Sequence, residues 1–220
     1  RIAVDALATA VQAAAGLVRR VRERDRSLVH HLAGMNFLHP GGSSVPHPHL
    51  QVHVRGVPYS GVSRLLGLGA DWRARTGRCY WEALVERERA LSARHLGTTG
   101  RVEWLAAWAP AHQKEVWGLL PGASSLAEIG EAEAEAFARG ISKVIAFYEE
   151  SGTHPFTMAF LSSPHPGHAG EFWLQARLCS RPAWRPLYAN YDTWFGPKLA
   201  GDEVHTEAPE AWAARLRARW

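Results

Sequence analysis

The stretch Asn36-Phe37-Leu38-His39-Pro40-Gly41-Gly42-Ser43-Ser44-Val45-Pro46-His47-Pro48-His49-Leu50-Gln51-Val52-His53-Val54 decides how this chain is read. It opens on an amide, turns at Pro40-Gly41-Gly42, offers hydroxyls at Ser43 and Ser44, and ends in strict alternation. Leu50, Val52 and Val54 share one face of an extended strand, while His47, His49, Gln51 and His53 share the other. A Gly/Ser loop supplies backbone N–H groups and hydroxyls that suit phosphate oxygens. Imidazole serves as nucleophile, general base or metal ligand. Scattered histidines on a surface strand are ordinary. Histidines in register behind Gly-Gly-Ser-Ser are not, because loop and strand then point to one chemistry: phosphoryl or nucleotidyl transfer through a histidine.

His47-Pro48-His49-Leu50-Gln51, with Asn36 and Ser44 upstream, resembles the active-site signature of the galactose-1-phosphate uridylyltransferases. These are a branch of the histidine-triad superfamily in which Gln stands in place of the third His. The resemblance implies that His49 is the nucleophile and becomes nucleotidylated, and that Gln51 hydrogen-bonds the transferred phosphate. It implies phosphate contacts at Asn36 and Ser44, with Gly42 and Ser43 of the same loop beside them. It makes His47 a zinc ligand, in a structural site whose other ligands would lie upstream of this chain; the chemistry itself needs no metal. The implied reaction exchanges UMP between a UDP-sugar and a hexose 1-phosphate through a covalent nucleotidyl-histidine, in a homodimer. Two alternatives stand beside it: a dinucleoside polyphosphate phosphorylase or hydrolase of the same superfamily, and a non-catalytic nucleotide-binding relative.

Composition sets the outer bounds. A chain of 220 residues with 46% apolar and 21% charged residues has the makings of a globular protein with a substantial core. No apolar run approaches the ~20 residues of a membrane span. The net charge of +4 suits an anionic substrate but falls short of a nucleic-acid-binding patch. Cys79 and Cys179 are too few for a disulfide framework, so a reducing cytoplasm is expected. The ten tryptophans read as core or interface packing.

Along the chain, residues 3–24 carry apolar side chains at helical spacing, and the helix ends in Arg19, Arg20, Arg22 and Arg24. Residues 27–38 read as a strand entering the Gly loop; His30 and His31 within it are read as structural. Residues 55–71, rich in Gly, read as a linker. Residues 78–95 read as a helix, with the solitary Cys79 assigned to packing. Val102–Ala109 and Val116–Leu120 read as paired strands, followed by a helix from Ser125 to Glu150 that Glu128 caps. Strands at 156–162 and 171–179 and a helix opened by Pro209 complete the pattern.

The expected fold is α+β: a histidine-triad-like antiparallel sheet with helices on one face, in two degenerate repeats. Residues 1–70 would be the later part of the first repeat, carrying the active-site strand, and 71–220 the second. By the resemblance, further strands precede the first helix in a family-length protein, so the chain is either its larger C-terminal part or a shortened member. The strand at 171–179 would mirror the active-site strand. Gln175 and Arg177 stand where relatives often place two metal-binding histidines. Asn190-Tyr191-Asp192 resembles a segment that holds the sugar across the dimer, which makes Asp192 a substrate-hydroxyl contact. A family Lys just upstream of that segment has no counterpart here.

Overall fold

A computed structural model describes residues 2–182 and 205–220, together with Leu199. Its centre is one seven-stranded antiparallel sheet, flanked by helices. In chain order the elements are α1 (Val4–Arg24), β1 (His30–Phe37), β2 (Gln51–Arg55), α2 (Ser60–Thr76), α3 (Tyr80–Leu91), β3 (His95–Thr99), β4 (Val102–Ala106), β5 (Val116–Leu120), α4 (Glu131–Glu150), β6 (Phe156–Leu161), β7 (Leu174–Ser180) and α5 (Pro209–Arg217). The strand order is β2-β1-β6-β7-β5-β4-β3. The α+β antiparallel architecture expected from the pattern is therefore present, and β1 joins the early strands to the later ones by pairing with β6. Among the described residues no helix is long and apolar enough to cross a membrane.

Alternation along the strands divides the side chains between two cores. Ala33 and Met35 of β1, Phe156, Met158 and Phe160 of β6, and Leu174, Ala176 and Leu178 of β7 join α1, α4 and α5 on one face. Helix α4 alone brings Phe137, Ile141, Val144, Ile145 and Tyr148, all buried. Each such side chain contributes about 1.5–3 kcal/mol when fully removed from water. On the opposite face Leu105, Trp117 and Leu119 pack beneath Trp81 and Val85 of α3, with Leu65 and Leu66 of α2 beside them. Helices thus cover one face as expected, and α2 and α3 also cover part of the other. The start of α2 also borders that second face at Leu32 of β1, Arg55 of β2 and Leu161 of β6.

Three local expectations are corrected. Residues 55–71 are not a linker, since α2 begins at Ser60, and the division at residue 70 falls inside it. One of the glycines there, Gly69, serves packing: a Cβ on it would lie 2.2 Å from the Glu171 carbonyl oxygen. The expected helix at 78–95 stops at Leu91, where Ser92 turns left-handed, and His95 instead opens an edge strand. The helix expected from Ser125 is split. Ser125 and Glu128 do form a capping box, but on a single 3-10 turn, and extended backbone at Ile129 precedes α4.

Candidate active site

The loop after β1 is built on local backbone constraint. Leu38 adopts φ 62°, and its carbonyl accepts from the N–H groups of both Gly41 and Ser43. Gly42 sits at φ 90°, a region that glycine enters without steric cost. The loop is clamped from outside. Thr157 Oγ1 donates to the Gly41 carbonyl at 3.1 Å and Arg181 Nε to the Pro40 carbonyl at 3.0 Å. Gly41 lies so close to β6 that a Cβ there would come within 2.6 Å of the Phe156 oxygen.

The two serines of the loop separate. Ser43 is buried, and its hydroxyl donates to the Val45 carbonyl at 2.5 Å, so this side chain braces the loop. Ser44 is exposed. The Asn36 side chain stands beside Gly42, within 3.6 Å of where a Cβ would be. Asn36 and Ser44 thus lie at the two ends of one short loop, with Gly42 between them.

His49 is exposed, ahead of the first residue of β2. Its Nδ1 lies 2.9 Å from the His47 carbonyl oxygen. A carbonyl only accepts, so Nδ1 donates, and in the neutral ring this leaves the lone pair on Nε2. Gln51, exposed at the start of β2, pairs with Gly34. Gly34 and Asn36 alternate onto one face of β1, so Gln51 and Asn36 share a sheet face. The strand expected from His47 begins only at Gln51, so His47 and His49 stand in the loop before it; within β2, Gln51, His53 and Arg55 are exposed and Val52 and Val54 half-buried. His47 is exposed as well. Among the described residues no group of three or more His, Cys, Asp or Glu side chains gathers to hold a metal ion, so His47 has no fellow ligands there. Asp192 lies outside the described residues.

The same sheet face is hollowed next to this loop. A cavity of about 310 Å³ is lined by Thr157 and Ala159 of β6, Arg177 and Cys179 of β7, and Arg181. Thr157 pairs with Asn36 across the β1–β6 ladder, and Arg181 holds the Gly loop, so the cavity borders the phosphate-suited backbone. A larger hollow of about 660 Å³ at the end of α1 has Arg19, Arg22 and Arg26, and the first two are spent on backbone. Arg19 donates to Ala127 and Ile129, and Arg22 to Val29 and Pro164.

Gln175 and Arg177 on β7 are tied into packing. Arg177 Nε donates to Gln175 Oε1 at 2.9 Å, its guanidinium stacks 4.4 Å from the Trp117 ring centre, and Glu115 stands 3.6 Å away. Glu115 is itself committed, accepting from the Ala111 N–H and from Trp117 Nε1. His31, read as structural, is buried on β1 with Nδ1 3.1 Å from the Val29 carbonyl and Nε2 3.2 Å from Ser125 Oγ. Burial, opposed in part by the Val29 bond, pushes its pKa down to about 4.

The comparisons bear on this geometry. No family model matches the chain. An uncharacterized protein of Archaeoglobus fulgidus is 29% identical over 188 residues, 85% of this chain and 55% of that protein. The chain thus spans about half the length of the curated relative it matches. Among solved structures, a uridylyltransferase superposes with a TM-score of 0.86 at 19% identity, over 99% of this chain and 68% of the other. An ADP-glucose phosphorylase from Arabidopsis thaliana, solved with ADP-glucose bound, gives 0.80 at 16%, over 98% and 67%. The chain has the fold of the uridylyltransferases. It shares that fold with a GalT-like protein of Arabidopsis thaliana as well, at a TM-score of 0.81 and 16% identity, over 98% of this chain and 69% of the other.

Proposed function

We propose that this chain carries the nucleotidyl-transfer centre of a galactose-1-phosphate uridylyltransferase-type enzyme. His49 Nε2 attacks the α-phosphorus of a nucleoside diphosphate sugar. The P–N bond forms, the bridging P–O bond breaks, and its electron pair leaves on the sugar 1-phosphate. A second hexose 1-phosphate then attacks the same phosphorus through a phosphate oxygen and restores His49. The Gln51 amide, the Ser44 hydroxyl, the Asn36 amide and the Gly42 N–H donate to phosphoryl oxygens as charge builds, a preorganised contribution of about 2.7–4 kcal/mol per donor. Asp192 is assigned to a sugar hydroxyl, and His47 to zinc completed by ligands outside the described residues. UMP is the proposed group, the functional unit is a homodimer, and the compartment is the cytoplasm.

The observation that supports this reading most directly is the Nδ1 contact of His49 to the His47 carbonyl, because in the neutral ring it leaves the nucleophilic lone pair on Nε2. Uniform chemistry follows from a fixed tautomer. The phosphorolytic alternative, in which inorganic phosphate is the acceptor, draws support from the fold shared with the ADP-glucose phosphorylase. The test is incubation with α-phosphorus-labelled UDP-glucose or ADP-glucose, followed by a search for acid-labile protein-bound label. Label is expected on the wild type and absent from His49→Ala; label that persists without His49 overturns the assignment. Chasing the label with glucose 1-phosphate or with inorganic phosphate separates the two acceptors.

A further inference from the structure

The loop that carries Asn36, Gly42 and Ser44 is set in part from a distant segment of the chain. Arg181 follows the last residue of β7, and its backbone N–H donates to the Pro155 carbonyl at 2.8 Å, one residue before β6 begins. Anchored there, its side chain crosses to the loop, 141 residues earlier, where Nε donates to the Pro40 carbonyl at 3.0 Å.

The peptide that receives this bond is held at both ends. Its carbonyl belongs to Pro40 and its N–H to Gly41, and that N–H donates to the Leu38 carbonyl at 3.0 Å. The next carbonyl, of Gly41, accepts from Thr157 Oγ1 at 3.1 Å. Two successive carbonyls of the single 3-10 turn His39–Gly41 are thus drawn toward β6 and β7. The two bonds are unequal. Thr157 offers a neutral hydroxyl, whereas a guanidinium is a charged donor, and charge-assisted bonds are roughly twice as strong as neutral ones. Pro40 has no N–H, so its carbonyl is the sole backbone hydrogen-bonding group by which that residue can be held.

The turn needs such a hold. Leu38, which leads into it, sits at φ 62° and ψ 166°. A residue with a Cβ persists there only where its surroundings over-determine it. Its carbonyl takes the N–H groups of both Gly41 and Ser43, so the strained residue and the clamped turn are one unit. The chain then runs on through Ser44 to His49.

We infer that Arg181 is a positioning residue: through the Pro40 carbonyl it holds this turn, against the strain at Leu38, in the shape that presents Asn36 and Ser44 to a phosphate beside His49. The role rests on the nucleotidyl-transfer reading of His49. Arg181 acts through the loop and is not assigned to substrate.

The test reads the loop and the chemistry separately in the full 220-residue chain. Amide hydrogen exchange at Gly41 and Ser43 reports the turn, because both N–H groups donate to Leu38. Arg181→Gln is expected to speed that exchange about ten-fold while the amides of β6 and β7 keep their rates. Labelling by whichever of UDP-glucose and ADP-glucose marks the wild type reports the chemistry. Its rate at saturating nucleotide sugar is expected to fall about ten- to hundred-fold, because donors misplaced around the reacting phosphorus cost rate. The half-saturating concentration is expected to change less than about three-fold. Arg181→Lys, which keeps a charged donor, recovers part of both losses. Arg181→Met, which keeps an apolar stem and loses the donor, serves if Arg181→Gln does not fold.

A wild type that takes no label from either nucleotide sugar overturns the nucleotidyl-transfer reading and this role with it. A labelled wild type whose Arg181→Gln variant labels at the same rate, or shows unmoved exchange at Gly41 and Ser43, overturns the role alone. A loss confined to the half-saturating concentration makes Arg181 a substrate contact and overturns it too, as does exchange raised equally across β6 and β7.

Discussion

Strands β2 and β7 carry the same kind of pattern and end in opposite states. In β2 the polar positions Gln51, His53 and Arg55 face outward, and His49 stands exposed just before them. In β7 the polar positions Gln175 and Arg177 lie under α2, α3 and the 110–115 segment. There Gln175 is fully buried and Arg177 is held by Gln175, Glu115 and Trp117. Alternation decides which side chains share a face. What covers that face decides whether they meet solvent and ligand or become part of the packing.

Breaking the comparison at β2 has the largest effect. His49→Ala should lower nucleotidyl transfer by roughly 10⁴–10⁶-fold, as loss of a nucleophile does elsewhere, with thermal stability unchanged because the ring is exposed. The equivalent break beside β7 should be the reverse. Glu115→Leu strands the Arg177 cation and two N–H donors, so denaturant unfolding should show a loss of about 3–5 kcal/mol. The protein that remains folded should still be labelled at His49.

Gln51→Ala sharpens the contrast. It should reduce the rate of label formation by about 10²–10³-fold without moving the unfolding midpoint. The smallest effect is on β1, between the two strands of interest. Folded His31 stays neutral to about pH 4, whereas the unfolded chain protonates it near 6.5. The unfolded state therefore gains protons first as pH falls. Stability should be level above pH 6.5, decline by on the order of 3 kcal/mol between pH 6.5 and 4, and level off below that. His31→Gln should flatten that segment of the profile.

Much of the fold was legible because its signals are local. The apolar spacing of α1 and the Pro at the start of α5 each located an element within a residue or two. The alternation after His47 gave β2 its correct faces. The sequence reading failed where a long-range contact overrides a local one. Gly61, Gly67 and Gly69 suggested a linker, yet Gly69 is what lets α2 approach the Glu171 backbone. Ser43 and Ser44 are chemically alike in sequence. Only the path of the loop sends the Ser43 hydroxyl inward to Val45 and leaves Ser44 outside. The tryptophans, without a common spacing, read as core, and Trp81, Trp104, Trp117, Trp173 and Trp212 are buried.

By itself the sequence determined which residues alternate, which turn, and which chemistry an imidazole, an amide and a Gly loop can offer together. Those are properties of neighbours along the chain, fixed by bond geometry over a few residues. The tertiary structure alone decided that His49 is exposed, that Ser43 is buried, and that Arg177 is packed among Gln175, Glu115 and Trp117. Those outcomes depend on which distant segments pack against each face, and burial is a property of the whole assembled surface rather than of any one strand.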